Sequence, residues 1–273
     1  MKDEHRADFR QLEAALTLTR IQKLQNERRY RDQQRLFFVE GVRNFVEAID
    51  QGFSIDTLLY SEKLLTVPLA RKFVRRVKRA GVPFARVSPE AFRSISRAKR
   101  ASGVAAILHQ RVQTLAEIQP NQFSCLTVLS QIQSLGNFGT LIRTSAAIGA
   151  TGFILVGGMI DPFDPVVVRA TMGALFKQTL VRTNVESFRG WIQSHDFAVI
   201  GASPDGTMEY DQVKYTQPAV VILGNERSGL TAEQRALCKQ IVRIPMVHGI
   251  DSLNLGVAGS LLLYEVFRST VRS

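Results

Sequence analysis

The sequence has few cysteines and no long apolar run, and each shortage excludes a class of protein. Its 273 residues contain two cysteines, Cys125 and Cys238, at no metal-ligand spacing, which argues against a disulfide framework and a zinc module. Its longest apolar runs, such as 219–223, fall far short of the roughly 20 residues that cross a bilayer. Residues 2–8 mix both charges and lead into no apolar segment, so no secretion signal is expected. We therefore expect a globular, cytoplasmic protein without a metal ion.

The excess of basic over acidic residues is concentrated in the first part of the chain. Through Gln110 there are 22 Lys and Arg against 12 Asp and Glu, a net charge of +10, whereas the remainder carries 13 against 12. A basic module joined to a nearly neutral part is typical of a polyanion-binding domain attached to a domain with another task. The alternative is a solvated basic surface that only aids solubility.

The order of predicted elements indicates two α/β units. A basic helix over 7–29 begins the first unit, which we assign to residues 1–110. Residues 111–123, with Pro120 and several glutamines, resemble a linker. Residues 124–273 form the second unit, whose near-continuous apolar strands predict a parallel sheet covered by helices on both faces. Ligands of such sheets bind at the carboxyl ends of the strands.

One predicted helix of the first unit, 68–79, is strongly cationic, with Phe73, Val74 and Val77 on its inward face. Further cations follow in the loop 97–100. The residues that we predict to bind RNA phosphates are Arg71, Lys72, Arg75, Arg76, Arg97, Lys99 and Arg100.

Three loops at predicted strand ends have an unusual composition. In the first, Asn137 is predicted to cap a helix, and Arg143 follows less than two turns later, so that both side chains can face one cleft. Alternatively, Asn137 is only a cap and Arg143 only an exposed charge. The second loop, 223–230, carries Glu226 between two glycines, a pattern suited to a ribose or an amine, and a capping box at Thr231 follows it.

The third loop, 244–254, follows another strand and enters a long helix predicted over 253–269. One reading of this loop is that Asp251 or Ser252 is no more than the cap of that helix.

In this order the loops resemble the three motifs of the SpoU or TrmH-type RNA ribose 2′-O-methyltransferases, members of the knotted SPOUT superfamily. The matching residues are N-x-G-x-x-x-R from Asn137, G-N-E-x-x-G from Gly224 and I-P-M-x-x-G-x-x-S-L-N from Ile244. The segment 169–176 resembles the helix between motifs one and two, and 38–47 resembles the substrate-binding domain of rRNA-directed members. Two departures are Ser134-Leu135, where close relatives of the rRNA enzymes usually have Asp-Pro, and Gly256, where Ser is common.

The resemblance implies a C-terminal SPOUT α/β trefoil knot with a parallel sheet, preceded by a small ribosomal-protein-L30e-like α/β domain. It implies S-adenosylmethionine as cofactor, a homodimer, and methylation of a ribose in RNA, in the first place 23S or other large-subunit rRNA. It assigns catalysis to Arg143, Asn137, Glu226, Ser252 and Asn254, and cofactor binding to Leu223, Gly224, Asn225, Gly229, Ile244, Met246, Leu253 and Asn254.

Two other functions fit the same sequence. One is a tRNA ribose methyltransferase, because the catalytic domain is shared; the long basic N-terminal part favours rRNA. The other is an RNA- or ribosome-binding protein that has lost catalysis, and the presence of all five assigned catalytic residues argues against it.

Overall fold

The computed structural model describes residues 2–216, 218–249 and 251–271, and they form two compact units. Unit 1 comprises the chain up to Arg111 together with Pro162–Phe176, and unit 2 comprises Val112–Asp161 and the chain from Lys177 onward. The chain therefore passes from one unit to the other three times. Within the described residues, no helix is both long and apolar enough to cross a membrane.

Unit 1 contains a four-stranded sheet in the order β1-β4-β2-β3, in which only β2 and β3 are parallel. Its elements are α1 (Lys2–Asn26), α2 (Arg28–Gln34), β1 (Leu36–Glu40), α3 (Val42–Asp50), β2 (Ile55–Tyr60), α4 (Pro68–Arg79), β3 (Phe84–Arg86), α5 (Pro89–Ile95), β4 (Val104–His109) and, from the later segment, α7 (Pro165–Thr171).

The cationic helix α4 has the predicted bounds. Pro68 occupies its first turn, where the missing N–H costs nothing. Ala70, Val74 and Val77, spaced by four and three residues, are buried, so the charged residues face outward.

The predicted helix over 7–29 is wrong in one respect, because the chain breaks at Glu27 into α1 and α2. Glu27 is extended, with φ −118° and ψ 102°. The buried Arg31 of α2 donates to the carbonyl of Leu24 at 2.7 Å, which satisfies a terminal carbonyl of α1 that a continued helix would have paired.

The segment Pro162–Phe176 supplies part of the core of unit 1. The ring of Phe163 lies 4.7 Å from that of Phe37, and the ring of Phe176 lies 5.0 Å from that of Phe53. Residues from the interior of the predicted second domain, 124–273, thus pack in unit 1. The boundaries of the two functional domains stay a prediction.

Unit 2 contains a seven-stranded sheet in the order β7-β6-β5-β10-β8-β11-β9, and every pairing is parallel. Its elements are β5 (Cys125–Leu129), α6 (Leu135–Ala147), β6 (Gly152–Val156), β7 (Thr179–Thr183), α8 (Val185–Gln193), β8 (Ala198–Ala202), β9 (Met208–Glu209), β10 (Ala219–Leu223), α9 (Ala232–Leu237), β11 (Gln240–Arg243) and α10 (Leu255–Val271).

The predicted linker 111–123 is partly ordered into the sheet. Gln113 forms a parallel bridge with Val181 of β7, and two short 3-10 turns follow at Leu115–Glu117 and Pro120–Gln122. Both cysteines are free. Burial in β5 raises the pKa of the Cys125 thiol to about 12.

Sheet order explains why the three sequence motifs meet. Motif one follows β5, motif two follows β10 and motif three follows β11. Strands β5 and β10 are neighbours, and only β8 separates β10 from β11. Because all the strands are parallel, their carboxyl ends share one edge of the sheet. The predicted threading of the chain into a knot and the likeness of the first domain to ribosomal protein L30e stay predictions.

Candidate active site

The motif-two loop is closed by its own backbone. Asn225 and Gly229 exchange backbone hydrogen bonds of 2.9 and 3.0 Å, and the Asn225 side chain accepts the N–H groups of Arg227 at 2.8 Å and Ser228 at 3.2 Å. A Cβ on Gly224 would lie 2.3 Å from the carbonyl of Gly229, whose own φ is +67°. The two glycines are therefore required by close approach and by backbone conformation.

Glu226 connects the motif-two loop to motif one. Its carboxylate accepts the backbone N–H of Gln133 at 3.1 and 3.2 Å and that of Ser134 at 3.1 Å, and the amide of Asn137 lies at 3.4 Å. Burial by itself would raise the pKa of Glu226, but the hydrogen bonds from Gln133 and Ser134 outweigh it and hold the pKa below its usual range. Glu226 is therefore an ionised group that joins two loops.

Helix α6 begins differently from the prediction. Ser134, not Asn137, is its cap, and the Ser134 hydroxyl accepts the N–H of Asn137 at 3.3 Å. The side chain of Asn137 turns instead toward Glu226. The Ser134 departure from the family pattern thus has a local structural role. Arg143, two turns into α6, is exposed and has no hydrogen bond or ion pair within the described part of the chain.

Helix α10 is capped by Asn254, so the alternative reading of Asp251 or Ser252 as no more than its cap is wrong. The Asn254 Oδ1 atom accepts the N–H groups of Gly256 at 2.9 Å and Val257 at 3.3 Å. Its amide nitrogen remains a donor, because the cap uses only the oxygen. The Gly256 departure permits close packing, because a Cβ there would lie 3.3 Å from the Cα of Asn137.

A cavity of about 350 Å³ lies between motifs two and three. All the predicted cofactor residues except Asn254 line it, together with the predicted catalytic residues Glu226 and Ser252. Asn137 and Arg143 do not line it. Within the described chain, no group of three or more His, Cys, Asp or Glu could hold a metal ion.

The sequence reasoning missed one wall of this cavity, formed by Ser203, Pro204 and Arg235. Arg235 donates to the Ser203 hydroxyl at 2.7 Å and to Asp205 at 2.8 Å, and this hydrogen bond lowers the pKa of Asp205 to about 2. The signal was available, because Ser203 directly follows β8, and the carboxyl end of each strand in such a sheet is a candidate position.

The predicted RNA-binding cations lie in unit 1 and are exposed. Arg71 donates to the carbonyl of Leu65, Arg76 lies 3.9 Å from Asp50, and Arg97 donates to Asn26 at 2.7 Å. Lys72, Arg75, Lys99 and Arg100 make no side-chain hydrogen bond or ion pair with the described residues.

Comparison with known protein families shows to which family a chain with this site belongs. The sequence profile of the SpoU rRNA methylase family matches residues 124–264, which is half of the chain. The chain belongs to this family. A second profile, the MRM3-like substrate binding domain, matches residues 17–106.

Several SpoU relatives are similar over most of the chain. An S-adenosylmethionine-bound rRNA methyltransferase structure from Sinorhizobium meliloti has 32% sequence identity and a TM-score of 0.84, covering 92% of this chain and 94% of that one. A 23S rRNA (uridine(2479)-2′-O)-methyltransferase of Streptomyces viridochromogenes is 29% identical over 86% of this chain and 83% of its own length. A 23S rRNA (guanosine(2553)-2′-O)-methyltransferase of Bacillus subtilis is 25% identical over 68% and 73%.

Membership of the SpoU family confirms the predicted resemblance. It also confirms the class of fold, a SPOUT-type α/β structure with a parallel sheet, and the class of reaction, RNA methylation. The roles of individual residues are not fixed by the match.

Proposed function

We propose that this SpoU-family protein transfers a methyl group from S-adenosylmethionine to a ribose 2′-hydroxyl of large-subunit ribosomal RNA. The observation that carries the proposal is the junction of motifs one and two through Glu226, at the edge of a cavity that motifs two and three line. The relatives support the substrate, because both curated ones named above are 23S rRNA 2′-O-methyltransferases.

The cavity fits S-adenosylmethionine in size and chemistry. Its volume of about 350 Å³ lies within the usual range for small-molecule sites. Ile244, Met246 and Leu253 offer apolar surface to an adenine ring, and the carboxylate of Asp251 offers an acceptor to hydroxyl or ammonium groups. When bound, the cofactor supplies a methyl group activated on a sulfonium sulfur.

We assign Arg143 to assisting the nucleophile, which is the ribose 2′-hydroxyl of the RNA. A ribose 2′-hydroxyl attacks poorly until its proton begins to leave, so a neighbouring cation that stabilises the forming alkoxide accelerates the step. A guanidinium has five N–H donors in a planar fork and no acceptor. Arg143, exposed and without an ionic partner among the described residues, is thus suited to bind an RNA phosphate and this oxygen together.

Glu226 and Asn254 act on the geometry of the site. The oxygens of Glu226 already accept backbone N–H groups, so we assign it to holding the start of α6 rather than to proton transfer. Asn254 fixes the start of α10 and keeps its amide N–H₂ as a donor, while Ser252 lines the cavity beside it. Alignment of this kind contributes up to roughly 7–11 kcal/mol in well-oriented reactions.

A homodimer completes this arrangement. Arg143 lies on α6, is exposed and does not line the cavity of its own chain, so we place it at the cavity of a second copy, whereas Asn137 contacts Glu226 of its own chain. The face of α10 that exposes Val257 and Tyr264 is the apolar surface available for that contact. We place the protein in the cytoplasm, where rRNA is modified and unpaired cysteines stay reduced.

The proposed activity is tested by methyl transfer to purified rRNA. The full-length protein with labelled S-adenosylmethionine is expected to methylate large-subunit rRNA at a 2′-oxygen, and mapping of 2′-O-methyl groups identifies the nucleotide. Methyl transfer to tRNA alone would show that tRNA, and not rRNA, is the substrate. Cofactor binding by calorimetry without transfer to either RNA, or no binding at all, would refute the proposal.

The dimer is tested by mixing two inactive variants, Arg143→Ala and Asn254→Ala. If each site combines Arg143 of one copy with the cavity of the other, half of the randomly mixed dimers contain one intact site. About a quarter of wild-type activity is then expected. No recovery in the mixture, or a monomer by sedimentation, would contradict the shared site.

A further inference from the structure

An aromatic side chain interrupts the charged surface of unit 1. Phe84, on the edge strand β3, is 46% exposed, although phenylalanine is among the residues most often buried in proteins. The next residue, Ala85, faces the core, so Phe84 belongs to the opposite face of the sheet. A single exposed apolar side chain is ordinary on a protein surface. The exposure of Phe84 is of interest because of the side chains that surround its ring.

The Phe84 ring is held in place by a cation of helix α4. The Lys78 ammonium lies 4.3 Å from the centroid of the Phe84 ring and 5.1 Å from that of Tyr60, and it donates to the Tyr60 hydroxyl at 3.1 Å. The two rings are 6.0 Å apart. Cation, hydroxyl and ring thus fix one another, so the ring is ordered before any ligand arrives.

The helix that carries Lys78 bears further cations. Lys72, Arg75 and Arg79 are exposed and make no side-chain hydrogen bond or ion pair within the described ranges. Two acids lie nearby, Asp50 at 3.9 Å from Arg76 and Glu62 at 3.3 Å from Arg86. The surface formed by α4 and Phe84 therefore keeps a positive excess around an ordered aromatic ring.

We propose that Phe84 stacks on an unpaired base of the substrate RNA, while the cations of α4 bind the phosphates on either side. Positive grooves with aromatic platforms are the usual means of binding single strands, because every base offers a π-face and the phosphates supply the charge. A duplex cannot use the platform, since its bases are already stacked. The inference rests on the proposed RNA substrate and adds that the contacted RNA is single-stranded at this point.

The test compares Phe84→Ala with two matched variants of the full-length protein. Leu69→Ala is the control for lost apolar surface, because Leu69 is 50% exposed at the start of the same helix and has no ring. Lys72→Gln with Arg75→Gln is the control for lost charge. The probes are an unstructured oligouridylate and the same strand annealed to its complement, and the Kd of each is measured across a salt titration.

Phe84→Ala is expected to raise the Kd for the single strand about 5- to 150-fold. The duplex Kd and the slope of log Kd against log salt should stay unchanged. The double charge variant should instead lower the slope, by about 0.7 per lost phosphate contact on a single strand. Phe84→Tyr should restore single-strand affinity, and Leu69→Ala should resemble wild type.

The inference is overturned by any of three results: unchanged binding of the single strand by Phe84→Ala, an equal loss for single strand and duplex, or the same loss in Leu69→Ala. Thermal unfolding of Phe84→Ala checks that the fold is kept. If it is not, Phe84→Leu, which keeps an apolar side chain without an aromatic ring, is expected to show the same loss of single-strand affinity, and wild-type affinity in that variant overturns the inference. If the wild-type protein binds neither RNA, the proposed function fails, which is a different outcome from failure of the platform alone.

Discussion

Substitution of Glu226 tests whether the carboxylate works by joining two loops. Glu226→Ala removes the acceptor of the backbone N–H groups of Gln133 and Ser134. A hydrogen bond to a charged group contributes about 1.5–3 kcal/mol, and because the side chain is only partly buried we take about half of the sum of two such bonds, or about 1.5–3 kcal/mol. The start of α6 then loses its fixed position, and kcat/KM is expected to fall roughly 10- to 150-fold.

The conservative variant separates position from charge. In Glu226→Gln one oxygen can still accept an N–H group, so its activity should lie between those of wild type and Glu226→Ala. The assay is methyl transfer to rRNA at limiting substrate, with cofactor affinity measured by calorimetry. Wild-type activity in Glu226→Ala would refute the loop-joining role. A Gln variant as inactive as the Ala variant, with cofactor affinity retained, would show that the charge itself takes part in catalysis.

The pH dependence has a definite sign. The pKa of Glu226 lies below its ordinary value. The ionised carboxylate therefore holds the two loops together fully at any pH above that ordinary value, and this contribution is lost only as the pH falls through the lowered pKa. The pH profile of wild-type methyl transfer should therefore contain no Glu226 titration over about pH 6–8. A step in that range that disappears in Glu226→Gln would contradict the lowered pKa.

Three further substitutions have expected outcomes. Arg143→Ala should abolish methyl transfer with cofactor affinity within a few-fold by calorimetry, and Arg143→Lys should fail too because a point charge cannot replace the planar fork; a fully active Lys variant would refute the assignment. Asn254→Ala should lower the free energy of unfolding by about 1 kcal/mol through loss of the α10 cap and should abolish methyl transfer. Asn254→Asp keeps the cap and loses only the amide donor. Full activity of the Asp variant would exclude that donor from catalysis. Gly224→Ala should abolish cofactor binding, because its Cβ would lie 2.3 Å from Gly229, while the control Gly136→Ala, whose Cβ meets its nearest atom at 3.7 Å, should bind normally.

Sequence predicted the elements best where local signals and burial agree. Helix α4 and strand β10 have the predicted bounds, because a proline and a buried apolar stripe define the one, and an unbroken apolar run defines the other. Helix α7 ends at Thr171, although the family resemblance predicted a helix over 169–176, because Met172 adopts a left-handed conformation with φ 51°. Gly173, with φ 94° directly after Met172, is the local signal of this turn.

At the site, the sequence predicted which loops meet but not what each side chain binds. Ser134 and Asn254 both had alternatives as caps within a few residues, and capping preference alone does not rank them. The contact between Glu226 and the backbone of Gln133 joins residues 93 positions apart. A contact of that range depends on the order of strands in the sheet, which local patterns do not contain.

The placement of Pro162–Phe176 in unit 1 changes how the two units can be taken apart. A chain shortened to begin at Val112 would leave Phe163 and Phe176 without Phe37 and Phe53, the rings against which they pack. Such a fragment would expose aromatic surface and tend to aggregate, so its loss of RNA binding would say nothing about phosphate contacts.

The same placement constrains exchange between relatives. A transplanted unit 1 must bring two separate stretches of sequence, one at the front of the chain and one inside the region that the SpoU family profile matches. A chimera made by a single cut near residue 111 would join each stretch to a foreign counterpart. Change in either stretch during evolution is therefore expected to be matched in the other, which couples the front of the gene to the part that encodes the SpoU profile match.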